Sequence, residues 1–138
     1  MKRYALFLLF AIVSCKKEAN PDLANGFVGN YYFKEKTPLS VIETIWKISR
    51  IDNNHVKIAI EENTDYADTT PDEQEVMTMN NVFVEFQNAL IFNSEYELNG
   101  NKGLLTGTAL LLGDTLSYDI IATEKDVSLA ISKVVVRR

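Results

Sequence analysis

The sequence predicts an all-β fold, a single antiparallel up-and-down β-barrel of eight or nine strands over residues 26–138. Apolar side chains recur at every second position along most of this stretch, and turn-forming residues separate the alternating runs at short intervals. Because such short connections join neighbours in a sheet, the strands should pair in chain order. Closure into a barrel then removes the exposed edges of the sheet.

The clearest hairpin lies between residues 41 and 61. Residues 41–51 and 55–61 both alternate apolar and polar side chains with period two, which places one face of each strand in a core. Asp52, Asn53 and Asn54 between them tolerate the left-handed conformation that a tight turn requires. The two segments are therefore predicted to pair as antiparallel strands.

The remaining strands follow from the same alternation. Phe27, Tyr31 and Phe33 open the first strand. Later turn signals are Gln87-Asn88, Asn99-Gly100, Gly113-Asp114 and Glu124-Lys125-Asp126. Residues 104–112 are apolar on both parities, so their facing stays open and a short helix is an alternative. Residues 62–75 contain Pro71 and many acids, and are predicted to form a long loop or a partly disordered segment.

The first fifteen residues have the pattern of an export signal. Lys2 and Arg3 precede an apolar run over residues 4–13, and Ser14-Cys15 follow it. A run of this length is too short to span a bilayer as a helix, which requires about 20 residues. It fits the apolar core of a secretory signal, in which a small residue precedes the cleavage site.

The four residues Ile12-Val13-Ser14-Cys15 resemble the bacterial lipobox. The resemblance implies a cleaved lipoprotein signal peptide (residues 1–14), an acylated Cys15 and membrane anchoring through that lipid. Residues 15–25 would then form a lipidated tether. Lys16 replaces the aspartate that is associated with inner-membrane retention in this family. We therefore expect a location at the outer membrane, facing the periplasm or the cell surface.

Charge and cysteine content narrow the range of functions. Without Lys2 and Arg3 the chain carries 12 basic and 19 acidic residues, a net charge of −7. This balance argues against nucleic-acid binding, which needs a basic face. Cys15 is the only cysteine, so the fold must stand without an internal disulfide. A monomer is expected.

Two further segments resemble the lipocalin-like domain of small Gram-negative lipoproteins. They are Gly26-Phe27-Val28-Gly29-Asn30-Tyr31-Tyr32, a glycine-aromatic opening, and Leu105-Thr106-Gly107-Thr108 before a glycine turn. The resemblance covers the strand order over most of the chain and implies an eight-stranded barrel. The tryptophan usual in the lipocalin opening is absent, and Tyr31 or Phe27 stands in its place. Because many members of this family lack a known ligand, the resemblance implies fold more than activity.

A catalytic set is not evident in the sequence. His55 is the sole histidine and begins a strand beside an Asn-rich turn, there is no Gly-x-Ser-x-Gly motif, and Cys15 is expected to carry lipid. We therefore expect no enzyme activity and no cofactor. A glycan-acting enzyme is an alternative, because Glu95 with Glu97, or Glu43 opposite Glu61, could supply paired carboxylates.

Residues 61–75 concentrate seven carboxylates. Among them, Glu62, Asp65, Asp68 and Asp72 are candidates for contacting a basic partner protein of the envelope, as an inhibitor or assembly factor would. Calcium is an alternative ligand for these oxygens, although the EF-hand spacing and its glycine are missing. A solvated loop that repels itself is the simplest interpretation.

Aromatic residues are the last candidates. Trp46, Tyr96 and Tyr118 could line the mouth of a barrel that holds a small apolar or sugar ligand. Trp46 and Tyr118 lie on parities that face inward, so core packing is the leading interpretation for both. Tyr32 and Phe83 are predicted to face outward. The lead hypothesis is a non-enzymatic envelope lipoprotein whose barrel binds a ligand or a partner.

Overall fold

A computed structural model describes residues 20–138; the predicted leader, Cys15 and residues 16–19 lie outside the described residues. Eight antiparallel strands pair in chain order and close into one barrel, which confirms the predicted fold class and gives the count as eight. Among residues 20–138, no helix has the length and apolar character that a membrane crossing requires. The strands are β1 Gly29–Lys36, β2 Ser40–Arg50, β3 His55–Tyr66, β4 Glu73–Glu85, β5 Ala89–Leu98, β6 Asn101–Leu112, β7 Thr115–Glu124 and β8 Val127–Arg137.

Strand register places alternate side chains inside the barrel. In the predicted hairpin, β2 pairs with β3 from Ser40 opposite Tyr66 to Arg50 opposite Val56, which confirms the pairing read from the sequence. Trp46 on β2 is fully buried, as its parity predicted. The barrel wall is thus built from hairpins whose inner faces share one core.

The loop predicted over residues 62–75 is wrong in its extent. The β3–β4 ladder continues through Glu62 opposite Glu75 to Thr64 opposite Glu73, which leaves a turn at residues 67–72 only. Polar inward residues are tolerated here because this end of the barrel opens to water, so their solvation is kept. A strand is predicted from sequence when its inward positions are apolar, so strand segments with polar inward positions are mistaken for loops.

Residues 104–112 are strand throughout, as part of β6, and the helix alternative is excluded. Leu105 and Ala109 face inward and are buried, whereas Leu104, Leu110 and Leu112 face outward and are exposed. The segment is apolar on both parities because its outer face carries leucines, and not because both faces are buried.

The two ends of the barrel differ. A 3₁₀ helix over Ala24–Phe27, here called the cap, covers one end, and both Ala24 and Phe27 are fully buried. We call this the closed end, which also holds the turns at residues 51–54, 86–88 and 113–114. The opposite, open end holds the turns at residues 37–39, 67–72, 99–100 and 125–126.

The described part of the predicted tether, residues 20–25, packs on the closed end. The backbone N–H of Ala24 donates to the carbonyl of Asn53 at 2.9 Å, and the Asn53 side chain donates to the carbonyl of Asn20 at 3.2 Å. Asp22 pairs with Arg50 at 3.0 Å. Residues 20–25 are therefore packed against the closed end of the barrel.

Barrel closure depends on a short contact between β1 and β8. Only Tyr31 opposite Arg137 and Tyr32 opposite Val136 are registered between the two strands in the described chain. Arg137 Nε donates to the Tyr31 hydroxyl at 3.1 Å, and the guanidinium lies 5.0 Å from the centre of the Tyr31 ring. Toward the open end the two strands separate, and Leu129 on β8 is 61% exposed although its register points inward. We call this gap the seam.

Candidate ligand-binding cavity

The barrel interior is filled in one half and hollow in the other. Large side chains pack the closed half, where Phe27, Ile58, Leu90 and Leu116 are fully buried. The open half contains a cavity of about 730 Å³. Ligand pockets usually have volumes of roughly 300–1,000 Å³, so this space suits one small molecule.

Apolar groups form most of the cavity wall, and charged groups are found toward its mouth. The apolar and aromatic lining consists of Trp46, Ile60, Met77, Tyr96, Leu98, Tyr118, Ile120, Ala122, Val127, Leu129 and Ile131. The polar lining consists of Thr44, Glu62, Glu75, Glu124, Lys125 and Lys133. This combination of an apolar body with a few polar groups is typical of sites that bind an apolar ligand in one orientation.

Two stacked aromatic rings form the floor. The ring centres of Trp46 and Tyr118 are 4.4 Å apart at an interplanar angle of 35°, and Phe92 meets Trp46 edge-on at 6.2 Å. Burial raises the pKa of Tyr118 to about 12, and the neighbouring Trp46 indole partly opposes the shift. The phenol therefore stays protonated and can donate a hydrogen bond at any physiological pH.

The indole nitrogen of Trp46 is an unsatisfied donor. Its Nε1 is buried and makes no hydrogen bond of good geometry among the described residues. The indole lies near enough to the Tyr118 hydroxyl to lower the pKa of that phenol, so Tyr118 satisfies the donor only weakly. A buried donor without a partner costs roughly 1–3 kcal/mol, and such groups are uncommon in folded proteins. The floor of the cavity thus includes a donor that an acceptor on a ligand could satisfy.

Glu62 places a carboxylate close to this floor. It lies inside β3, where Thr44 Oγ1 donates to Glu62 Oε2 at 3.4 Å, and it stands directly opposite Glu75 on β4. The charge of Glu62 further raises the pKa of Tyr118, after burial and the opposing effect of Trp46. Burial, and then the charge of Glu124, raise the pKa of Tyr96 in the same way. Glu62 and Glu124 therefore each place negative charge near a tyrosine of the cavity wall.

Lys133 is a cavity-lining residue that the sequence pattern did not single out. It lies on β8 directly opposite Tyr118 and lines the cavity. Its Nζ reaches across the seam to within 5.3 Å of the Phe33 ring centre, a cation–π distance. The alternation along β8 already indicates that Lys133 faces inward, because residue 133 shares the parity of Ile131 and Val135.

The structure brings the three predicted aromatic ligand contacts together. Trp46, Tyr96 and Tyr118 all line the same cavity, from three different strands. The outward aromatic pair does not form one patch, since Tyr32 lies on β1 and Phe83 on β4. Phe83 instead packs beside His55, with ring centres 5.6 Å apart.

The acidic candidates are divided between different places. Glu62 lines the cavity, whereas the register puts Asp65 on the outer face, opposite Val41. Asp68 accepts from the backbone N–H of Thr70 at 2.8 Å, and Asp72 accepts from that of Tyr66 at 3.3 Å. Within the described part of the chain, no group of three or more His, Cys, Asp or Glu is placed to hold a metal ion.

The carboxylate pairs predicted for a glycan-acting enzyme are not the ones that share the cavity. Glu43 stands opposite Asn63, so its predicted pairing with Glu61 is wrong; Glu61 stands opposite Ile45 and binds Lys47 on the outer face. Glu95 and Glu97 are also exposed on the outer face. The carboxylates that share the cavity are instead those of three other residues, Glu62, Glu75 and Glu124.

His55 lies at the closed end, away from the cavity. Its Nδ1 is 2.9 Å from a carboxylate oxygen of Asp52, within the β2–β3 turn. The prediction that His55 begins a strand beside the Asn-rich turn is therefore confirmed.

Comparison of the chain with protein-family models, with curated proteins and with solved structures finds no match. The geometry of the cavity must therefore carry the functional argument.

Proposed function

We propose that this chain is a non-enzymatic lipoprotein of the bacterial outer membrane whose barrel binds a small apolar ligand in its open half. The observation that carries the proposal is the cavity of about 730 Å³, lined mainly by apolar and aromatic side chains. An interior left empty loses the dispersion contacts that packing would supply, so a hollow of this size needs a reason. Ligand binding supplies one.

The proposed anchor fixes which way the cavity faces. Lipid on Cys15 would be five residues from Asn20, which is held at the closed end by the Asn53 side chain. A chain of this length reaches at most about 18 Å. The closed end would therefore lie near the membrane, and the cavity would open away from it.

Binding of the neutral apolar dye N-phenyl-1-naphthylamine to residues 20–138 tests this proposal. This segment contains the cap and all eight strands. We expect saturable dye binding that Ala122→Phe weakens about tenfold, since residue 122 lines the cavity and a phenyl ring would fill part of it. Ala130→Phe is the matched control, because Ala130 is exposed on the outer face of β8.

Circular dichroism and a cooperative urea transition must first show that all three proteins fold. If the folded protein does not bind the dye saturably, the binding function is lost. If Ala122→Phe binds as well as Ala130→Phe, binding occurs elsewhere and the cavity has no part in it.

Glycan hydrolysis is a second candidate function, favoured by one observation. Glu62 and Glu75 stand directly opposite each other on the inner wall of the cavity, and such cross-strand neighbours have Cβ atoms about 5 Å apart. Retaining glycosidases use two carboxylates at a comparable separation, roughly 5–5.5 Å. Release of nitrophenol from a panel of nitrophenyl glycosides tests it. Turnover that Glu62→Gln and Glu75→Gln each abolish would establish hydrolysis, and absence of turnover would remove it.

A further inference from the structure

We infer that the ligand is an amphiphile whose head is an uncharged hydroxyl, seated on the cavity floor between the Trp46 indole N–H and the Glu62 carboxylate. This inference rests on the proposed binding function and deepens it by naming the class of headgroup. The two protein groups are diagonal neighbours on the inner face, because Trp46 stands opposite Ile60 and Thr44 stands opposite Glu62. One small polar group can therefore reach both.

The Trp46 indole requires an acceptor from the ligand. Its Nε1 is buried and unpartnered among residues 20–138, and an indole N–H can only donate. A hydroxyl, a carbonyl or a carboxylate oxygen would satisfy it, whereas an ammonium group carries no lone pair to offer. The indole thus disfavours an amine head.

The Glu62 carboxylate requires a donor and repels an anion. Its one hydrogen bond within the described chain is the long contact from Thr44, so acceptor capacity is left over. Glu75 stands directly opposite and Glu124 also lines the cavity, so three acids line the space that a ligand enters. A carboxylate head would have to pass these charges and settle beside one of them, at a Coulombic cost.

The two lysines of the cavity do not cancel the repulsion that its three acids exert on a carboxylate head. Lys133 directs its Nζ to the Phe33 ring at the seam, and Lys125 lies in the β7–β8 turn at the rim. Neither takes part in a salt bridge with Glu62. A hydroxyl is the group that accepts from Trp46 and donates to Glu62 at once, without adding charge to an apolar space.

Three probes that share an octyl chain test the headgroup: octanol, octanoate and octylamine. The full chain is reconstituted in phospholipid vesicles, and bound probe is measured by equilibrium dialysis against matched empty vesicles, which subtracts partition into lipid. We expect octanol to bind at least about fivefold more tightly than either charged probe, and octanoate to bind most weakly.

Glu62→Gln separates charge repulsion from hydrogen bonding. The amide keeps an acceptor oxygen and removes the charge, so octanoate should bind about fivefold more tightly than to the unmodified chain. Octanol should bind about two- to fivefold more weakly, because its hydroxyl then donates to a neutral amide oxygen instead of a carboxylate. Glu95→Gln, which makes the same change on the outer face of β5, is the matched control and should leave all three affinities unchanged.

The outcomes distinguish this inference from the proposed function. If octanoate or octylamine binds most tightly, or if Glu62→Gln leaves the octanoate affinity unchanged, the headgroup inference is overturned while ligand binding stands. If the neutral dye binds but octanol does not, the inference also falls alone. If neither the dye nor any octyl probe binds, both fall.

Discussion

At the scale of single residues, two buried tyrosines have different tasks. Tyr31 is fully buried at the closed end, where its hydroxyl donates to the carbonyl of Phe27 in the cap at 2.9 Å. The same hydroxyl accepts from Arg137 on the last strand. Tyr118 instead lines the cavity, where its ring packs against that of Trp46 on β2. One phenol therefore joins three elements of the fold, and the other is available to a ligand.

Arg137 should contribute strongly to stability because it connects the cap to both closing strands. Besides the Tyr31 hydroxyl, its guanidinium donates to the carbonyl of Gly26. We predict that Arg137→Ala lowers the free energy of unfolding by about 2–4 kcal/mol in urea titrations. Arg138→Ala is the control and should cost under about 0.5 kcal/mol, because Arg138 is exposed. Equal costs for the two variants would contradict the proposed connection.

Tyr118 should make the protein less stable in alkaline solution. Its pKa is raised to about 12 in the fold, compared with 10.0 for an ordinary tyrosine phenol. Between these values the unfolded chain loses the proton that the native state keeps, so the free energy of unfolding falls as pH rises. We predict a loss of about 1–3 kcal/mol from this residue between pH 10 and 12.

Urea titrations over this pH range measure that loss. Tyr118→Phe removes the titrating group and should therefore show a shallower fall than the unmodified protein. A remaining slope is expected, since burial also raises the pKa of Tyr31 and Tyr96. Identical slopes in the two proteins would show that the Tyr118 phenol is not desolvated.

At the scale of the elements, β6 approaches β7 so closely that Gly107 leaves no room for a side chain. Gly107 stands opposite Ile120 with φ +137°, and a Cβ built there would lie 2.2 Å from the carbonyl oxygen of Asp119. That oxygen belongs to the backbone of the neighbouring strand, so it cannot rotate away. The two strands would have to separate to admit even a methyl group.

Gly107→Ala should therefore lower the free energy of unfolding by about 3 kcal/mol or more. Gly113→Ala is the matched control: its φ of +62° is also left-handed, but nothing lies within 4 Å of the added Cβ. It should cost about 1 kcal/mol. Thermal or urea unfolding measures both, and a larger cost at Gly113 would show that conformation outweighs the close approach.

How far the sequence predicts the elements depends on what surrounds each one. Alternation identifies the hairpin of residues 41–61 because its inward side chains, such as Trp46 and Ile58, are apolar and buried. It fails at residues 62–66 and 73–75, where inward positions such as Glu62 and Glu75 are polar because they line an open mouth. Periodicity gives the direction of a side chain, and it does not state whether water or protein lies there.

The cavity could not be predicted from the sequence for the same reason, because the direction of a side chain does not reveal what surrounds it. Parity correctly points Trp46 and Tyr118 inward, and an inward residue in a small barrel is ordinarily a core residue. The cavity arises from volumes summed around the whole wall, including small side chains such as Ala122 and the separation of β1 from β8 at the seam. The volume of the cavity depends on side chains from many strands, so it cannot be predicted from the sequence of any one strand.

At the scale of the whole molecule, stability and binding are divided between the two halves of one barrel. The closed half contains the cap, the β1–β8 contact and the most densely packed residues, such as Phe27 and Leu90. The open half has polar inward residues and an apolar cavity. This arrangement lets the wall of the cavity stay in place without filling it, because the closed half holds the strands in register.

Quenching of Trp46 fluorescence by bromobenzene tests the central claim, that the open half is hollow and accepts an apolar molecule. Trp46 is the only tryptophan in the chain and forms the cavity floor, so its emission reports on this space alone. We expect saturable quenching that Ala122→Phe largely removes and Ala130→Phe preserves. Quenching that rises linearly without saturation, and equally in all three proteins, would contradict it.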